Sequence, residues 1–108
     1  MKVFLISTRN HANASGEYNL EDGSLTVLQG SIVSPSISDS KTFRGKKAIE
    51  KARQGIVFDN KLQRDIRFKS PSTAANFVTG SSSNGNRLWK AVDGRQLGDL
   101  LKGGVKNG

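Results

Sequence analysis

The chain has 108 residues, a hydrophobic fraction of 34% and a net charge of +8, which suits one small domain with a modest core. It contains no Cys and a single His, so disulfides, thiolate metal sites and His-based metal centres are excluded and we expect neither metal nor cofactor. No apolar run approaches the roughly 20 residues that cross a bilayer, so we expect no membrane partner.

The positive charge is concentrated in the middle of the chain. Residues 41–70 contain ten Lys and Arg against three Asp and Glu, whereas residues 1–40 contain two against four. Each phosphate that a cation contacts releases counterions, so a basic surface favours a polyanionic partner such as nucleic acid. A basic domain without such a partner would have the same composition, and charge alone leaves both interpretations open.

The amino-terminal third has the pattern of short strands. Residues 2–8 form an apolar run that is too short for a signal peptide and has no cleavage signature after it, which predicts a buried strand in a cytoplasmic protein. Residues 9–16 have loop composition. Residues 17–20 and 25–33 predict a β-hairpin that turns at Asp22-Gly23.

A basic amphipathic helix is predicted between residues 43 and 55. Ala48, Ile49, Ala52 and Ile56 fall on one face at helical spacing, and cations fill the remaining arc. Most charge runs are simply solvated, but only Glu50 offsets these cations, and uncompensated like charges cost a few tenths of a kcal/mol per pair. This favours a phosphate-binding face made of Arg44, Lys46, Lys47, Lys51 and Arg53.

The second half begins with an alternating strand at residues 62–69 and a helix with clear ends. Ser70 is a typical N-cap, Pro71 suits the first helical position, and Gly80 suits the end. A loop at 81–86 is followed by a predicted strand at 88–92, and Leu97, Leu100 and Leu101 indicate a short last helix.

The order of elements predicts an α+β fold, because strands and helices mix without regular βαβ alternation. We expect one domain over residues 1–102, an antiparallel hairpin or meander packed with two main helices and a short C-terminal helix. Residues 103–108 are expected to form a flexible Gly-rich tail.

No catalytic set is visible in the sequence. Residues 80–87 have the glycine spacing of a phosphate-binding P-loop, but Asn86-Arg87 replaces the required Lys-Ser/Thr and the segment follows a helix rather than a strand. The lone His11 lies in a segment rich in Asn and Ala, and turns account for Glu21, Asp22 and Asp93. We therefore expect a protein that is not an enzyme, with an unrecognised hydrolase as the least favoured alternative.

A binding surface around the Ser-rich loop fits the residues better. The start of the helix at Ser70 exposes backbone N–H groups that suit a phosphate, although ordinary capping is the better explanation of Ser70 itself. Trp89 suits either the core or a surface for base stacking, and Asn84-Gly85 either a ligand contact or a tight turn. The candidate contacts in this region are Lys69, Ser72, Thr73, Asn84, Arg87 and Trp89.

One set of motifs runs through the second half. It consists of Ser-Pro-Ser-x-Ala-Ala at residues 70–75, Gly80, Asn-Gly at 84–85, Trp89 and Gly-x-x-Leu at 94–97. This set resembles the bacterial family called domain of unknown function 4357. Residues 27–34 are similar to the family's Val-Leu-x-Gly-Ser strand and residues 11–16 to its Ala-x-Gly loop, so the resemblance covers nearly the whole chain.

The resemblance implies an accessory nucleic-acid module without catalytic duty. Such domains are often appended to GIY-YIG nucleases and restriction-modification proteins, and the motif is similar to that of the restriction-enzyme adenine-methylase-associated domain, which implies recognition of DNA, including modified DNA. Asn86 stands where the family usually has an aromatic residue, so one wall of a base pocket would be missing. The chain resembles no nuclease, and we expect a free-standing copy.

Two functions are carried forward. The first is a DNA-binding accessory module, in which the basic helix contacts phosphates and the loop at 84–87 supplies any base or end recognition. The second is a protein-interaction module that docks on an acidic partner of a restriction-modification or nuclease system.

Overall fold

An antiparallel sheet forms one layer of the protein and helices form the other. The computed structural model describes residues 1–40 and 43–107, with side chains as far as Lys102. The four-stranded sheet has the order β1-β2-β3-β6, and β4 and β5 form a separate two-stranded ladder, which confirms the α+β class. The elements are β1 (Lys2–Ser7), β2 (Ala12–Tyr18), β3 (Leu25–Val27), α1 (Lys46–Arg53), β4 (Val57–Phe58), β5 (Lys61–Leu62), β6 (Ile66–Phe68), α2 (Pro71–Thr79), α3 (Gly85–Leu88) and α4 (Leu97–Asn107).

The first hairpin differs from the expectation for residues 9–16. β1 and β2 pair directly, from Lys2 opposite Glu17 to Ser7 opposite Ala12, so the loop predicted there is confined to the turn before Ala12. Small side chains hid the strand, because the inward positions of β2 include Ala12, Ala14 and Gly16. A Cβ on Gly16 would lie 2.8 Å from Leu25 Cδ2, so the smallest residue is what allows this close packing.

The second hairpin is confirmed and the strands around it are shorter than predicted. β2 and β3 are antiparallel about the turn that holds Asp22-Gly23, where Gly23 has a φ of 75°. β3 ends at Val27, and beyond it Ile32 forms only isolated bridges to Asn13 and Lys61. The strand predicted over 62–69 is split into β5 and β6. Between them, the carboxylate of Asp65 accepts a hydrogen bond from Gln29 N at 2.7 Å.

The predicted ends of α2 are confirmed. Ser70 Oγ accepts from Thr73 N at 3.2 Å, and Pro71 is the first residue of the helix. Gly80 follows the helix with a φ of 73°, the left-handed conformation that glycine adopts at low cost.

The other helices depart from the sequence pattern. α1 begins only at Lys46, so Arg44 precedes it. The strand predicted over 88–92 is wrong, because Leu88 ends the short helix α3 and Lys90 forms only isolated bridges, with Phe4 and with Gln96. α4 continues to Asn107, past the predicted start of the tail, and Gly108 lies outside the described residues. In the part of the chain that the structure describes, no helix has the length and apolar character needed to cross a bilayer.

Helices α2 and α3 pack on one face of the sheet, and α1 and α4 pack against these two helices. The core between the layers contains Val3, Leu5, Leu25, Phe77 and Trp89, all fully buried. The indole N–H of Trp89 donates to the carbonyl of Pro71 at 3.0 Å. Trp89 is therefore a core residue that ties the chain after α3 to the first turn of α2.

The Asn-Gly pair of the sequence is the start of α3, packed against the start of α2. Asn84 Oδ1 accepts from Asn86 N at 3.1 Å as the N-cap, and Gly85 N donates to Ser72 Oγ at 3.1 Å. A Cβ on Gly85 would lie 2.2 Å from the carbonyl carbon of Pro71. Gly85 is thus needed because any side chain there would collide with the backbone of Pro71, and not because its φ angle is positive.

Replacing Gly85 with Ala is expected to lower the free energy of unfolding by about 2 kcal/mol or more, because α3 must move away from the backbone of α2. Urea unfolding followed by Trp89 fluorescence measures the change. The control is Asn86→Ala, an exposed side chain on the same short helix, expected to stay within about 0.5 kcal/mol of the parent. Equal stability of Gly85→Ala and the parent would contradict the close approach.

Candidate functional site

A polar cleft opens where the end of β1 and the end of α2 meet residues 36–40 and Phe43. Its volume is about 850 Å³. Three cations line it, Arg9, Arg87 and Lys90, and no carboxylate does so among the residues that the structure describes. The rest of this serine-rich cleft is lined by Ser7, Asn10, Ser36, Ser38, Ser40, Phe43, Thr79, Gly80, Ser81, Ser82, Ser83, Asn84, Leu88 and Gln96.

The Ser-rich loop on one wall of the cleft is held in place by side chains of α2. Thr79 Oγ1 donates to the carbonyl of Ala75 at 2.9 Å and lies 2.8 Å from Ser83 Oγ. Ser83 N donates to Asn76 Oδ1 at 2.9 Å. The loop therefore enters the cleft with its backbone already fixed, which reduces the entropy lost when a ligand binds.

The three cations of the cleft come from two parts of the chain. Arg87 is an exposed residue in the last turn of α3, and Lys90 is positioned by its backbone bonds to Phe4 at 2.7 and 2.8 Å. Arg9 lies in the β1–β2 turn, where Ser7 Oγ accepts from the side chain of Asn10 at 3.0 Å. The sequence analysis selected Asn84 and Arg87 but missed Arg9 and Lys90. Recognition of the β1–β2 hairpin would have placed Arg9 in its turn, at the end of β1 that borders the cleft.

Arg53 is half-buried and borders a depression that Lys47 and Lys51 line, but its guanidinium is engaged by backbone carbonyls of the protein. The inner stripe of the helix is Ile49, Ala52 and Arg53, followed by Ile56, and Ala48 is exposed. The guanidinium of Arg53 donates to the carbonyl oxygens of Phe77 at 2.7 Å and Ser34 at 2.9 Å. Burial lowers the pKa of Arg53 to about 10, so the group stays charged at neutral pH.

This contact caps the carboxyl end of α2. The last carbonyls of a helix have no partner within it, and here Arg53 binds the carbonyl of Phe77 while Ser34 N donates to that of Val78 at 2.8 Å. Arg53 also lies 5.7 Å from the centre of the Phe77 ring, within the range of a cation–π contact. Its role is structural.

The remaining cations of the basic segment are only partly grouped. Lys46 is half-buried and pairs with Asp39, and this hydrogen bond raises the pKa of Lys46 above its ordinary value. Lys47 and Lys51 line a shallow depression together with Ile37 and Glu50. Arg44 is exposed, and within the described residues no carboxylate pairs with Arg44, Lys47 or Lys51.

The connector before α1 brings this depression close to the serine-rich cleft. Ser36 and Ser38 line the cleft, and Ile37 between them lines the depression. The cations of α1 and those of the cleft therefore border the two sides of one chain segment. The structure thus brings together two groups of predicted residues, Lys47 and Lys51 with Asn84 and Arg87.

Other predicted contacts lie elsewhere or are engaged. Trp89 is fully buried, so it cannot stack on a base, and that prediction is wrong. Ser72 and Thr73 at the start of α2 are exposed, but their hydroxyls are engaged: Ser72 Oγ accepts from Gly85 N at 3.1 Å, and the hydroxyl of Thr73 lies 3.0 Å from Ser70 Oγ. Lys69 is exposed beside Arg67 and Asp22, in a different depression.

The cleft is rich in hydrogen-bond donors. No group of three or more His, Cys, Asp or Glu in those residues could hold a metal ion. The cleft offers hydroxyl, amide and cationic donors, which match phosphate oxygens and the polar edges of bases.

The family model described as domain of unknown function (DUF4357) matches residues 4–101. The chain therefore belongs to this family, and the resemblance drawn from its motifs is confirmed. No curated protein and no solved structure matches the chain.

Replacing Arg53 with Ala is expected to lower the free energy of unfolding by about 2 kcal/mol, because buried carbonyls at the end of α2 lose a charged donor. Arg53→Lys should recover only part of this loss, since an ammonium cannot reproduce the planar fork of donors. Thermal or urea unfolding measures both.

Lys51→Ala is the control, an exposed cation on the same helix, expected to change stability by less than about 0.5 kcal/mol. Equal effects of Arg53→Ala and Lys51→Ala would show that Arg53 has no special structural role.

Proposed function

We propose that this protein is a non-catalytic nucleic-acid-binding module that contacts DNA phosphates through the serine-rich cleft and the neighbouring cations of α1. The observation that carries the proposal is the composition of the cleft wall, which among its described residues has three cations, many neutral donors and no carboxylate. Such a wall favours a polyanion, because every charged group on it attracts phosphate and the neutral groups can donate to it.

The partial negative charge at the carboxyl end of α2 does not prevent phosphate binding in the cleft. The carboxyl end of a helix carries partial negative charge, which would repel an anion, and Gly80 at the end of α2 lines the cleft. The carbonyls there are already bound, by Arg53, by Ser34 N, and by Ser38 N, which donates to Gly80 O at 2.6 Å. Their charge is thus offset within the protein.

The residues expected to contact the nucleic acid differ in part from those that the sequence selected. Arg53 and Trp89 serve the packing of α2 and are removed from the proposed interface. The proposed contacts are Arg9, Arg44, Lys47, Lys51, Arg87 and Lys90, with Asn84 and the serines of the 81–83 loop as neutral donors.

A titration of labelled DNA at several salt concentrations tests this. If about six cations contact phosphates, the slope of log K against log salt on duplex DNA is about −5. The double variant Arg87→Glu/Lys90→Glu should weaken binding to all sequences alike and make the slope shallower by about 2.

The control carries the same charge change on exposed cations that border neither the cleft nor the α1 depression. Arg64→Glu/Lys69→Glu places it on the two sides of β6, and its effect on duplex binding should be several-fold smaller. Equal losses in the two double variants would mean that only net charge matters. No binding at low salt would refute the proposal and favour docking on an acidic protein, the second candidate carried by the net charge.

A further inference from the structure

The face of the sheet turned away from the helices carries apolar side chains in the open. Ile6 is 69% exposed, Phe58 61% and Ile32 36%. These residues are far apart in sequence, and single exposed apolar residues are common on protein surfaces. The pairing of the strands, however, brings these three residues onto one surface.

The three residues lie in one cross-strand row. Ile6 is opposite Asn13 in the β1–β2 pair, and isolated bridges join Asn13 to Ile32 and Ile32 to Lys61. Lys61 is in turn opposite Phe58 in the β4–β5 pair. Residues directly opposite each other in antiparallel strands point to the same face. We call the set Ile6, Asn13, Ile32, Lys61 and Phe58 the outer row.

The row is long enough to contact an extended ligand. With neighbouring strands about 4.8 Å apart, its four intervals span about 19 Å. One end of the row is Ile6, and the next residue, Ser7, lines the serine-rich cleft from the opposite face of β1. The outer row and the proposed phosphate-binding site therefore meet at the end of β1, and a bound strand would pass around it.

From this juxtaposition we infer that the nucleic acid bound by the protein is single-stranded and runs from the serine-rich cleft over the outer row. The inference rests on the proposed function. A duplex hides the apolar faces of its bases within the stack, and an exposed apolar row finds no matching surface there. An unpaired strand presents both base faces and phosphates, which match an exposed ring and apolar side chains beside cations.

The charges on this face favour a nucleic acid over a second copy of the chain. Lys2 and Arg67 are on the outward positions of their strands, and Lys61 is within the row. Arg67 is paired with Asp22 at 2.5 Å, so Lys2 and Lys61 supply the positive charge of this face. Glu17 on the same face is bound by the terminal ammonium at 2.9 Å. Asp59, at the tip of the β4–β5 turn, is the carboxylate nearest in sequence to Phe58. A chain with a net charge of +8 would bring like charge to this face by pairing with itself.

The test compares a short oligothymidylate with a duplex of equal phosphate number, using parent and Phe58→Ala proteins. The parent is expected to bind the single strand more tightly. Phe58→Ala should weaken single-strand binding about tenfold, the loss of one base–aromatic contact, and leave duplex binding unchanged. Ile6→Ala should act in the same direction with a smaller loss.

Val92→Ala is the matched control, since Val92 is an apolar side chain 88% exposed in the turn after Lys90 and lies off the row. It should bind both nucleic acids as the parent does. Unfolding measured in parallel should show that Phe58→Ala is folded, as expected for an exposed side chain.

The outcomes separate this inference from the proposed function. If Arg87→Glu/Lys90→Glu weakens binding while Phe58→Ala changes neither affinity, the inference is wrong and the proposed function stands. If neither nucleic acid binds at low salt, both are wrong. Concentration-dependent dimerisation that Phe58→Ala abolishes would assign the outer row to a second copy and overturn the inference.

Discussion

The fold depends on helix α2 being fixed at both ends. At its start, the indole of Trp89 donates to the carbonyl of Pro71 and the backbone of Gly85 lies against the same residue. At its end, Arg53 and the backbone of Ser34 bind the last carbonyls. The helix is mostly buried, with Ala74, Ala75, Phe77 and Val78 in the core. Buried carbonyls and amides without partners cost more than most single contacts can return, so these end contacts decide whether the helix can occupy the core.

The same contacts create the candidate site. Because the connector after Ser34 must approach the end of α2, Ser36 and Ser38 are drawn beside Gly80 and the Ser-rich loop. Because α3 must contact the start of α2, Arg87 of α3 also comes to line the cleft. The cleft is thus the space left between segments that serve the packing of one helix. Contacts with the core hold these segments in place, and the loops supply the polar side chains of the cleft.

The sequence predicted best what is decided locally. The N-cap at Ser70, Pro71 at the first position and Gly80 after the helix are short-range signals, and all three were correct. The α+β class and the turn at Asp22-Gly23 followed from similar patterns. The first part of β2, residues 12–16, was missed because its inward residues are small, and burial of Ala14 and Gly16 leaves no hydrophobic alternation to detect. The motifs were sufficient to identify the family.

The site was predicted less well, because the roles of Arg53 and Trp89 depend on distant partners. Helical periodicity placed Arg53 near the edge of the polar arc, and no local signal shows that carbonyls from another helix lie across from it. Arg9 and Lys90 reach the cleft only through pairings between separate segments. Sequence patterns assign a side chain to a face, but tertiary packing decides whether that face is open.

The two-residue turn between β4 and β5 has a consequence for how the chain could vary. Asp59 and Asn60 both adopt positive φ angles, 50° and 63°, in the tight connection whose handedness matches the twist of paired strands. Because side chains alternate along a strand, a single residue inserted into β5 after this turn would exchange the orientations of Lys61 and Leu62, and the fully buried Leu62 would face water. The length of this segment is therefore constrained by the core beneath it, while the chemical nature of its outward side chains is left to vary.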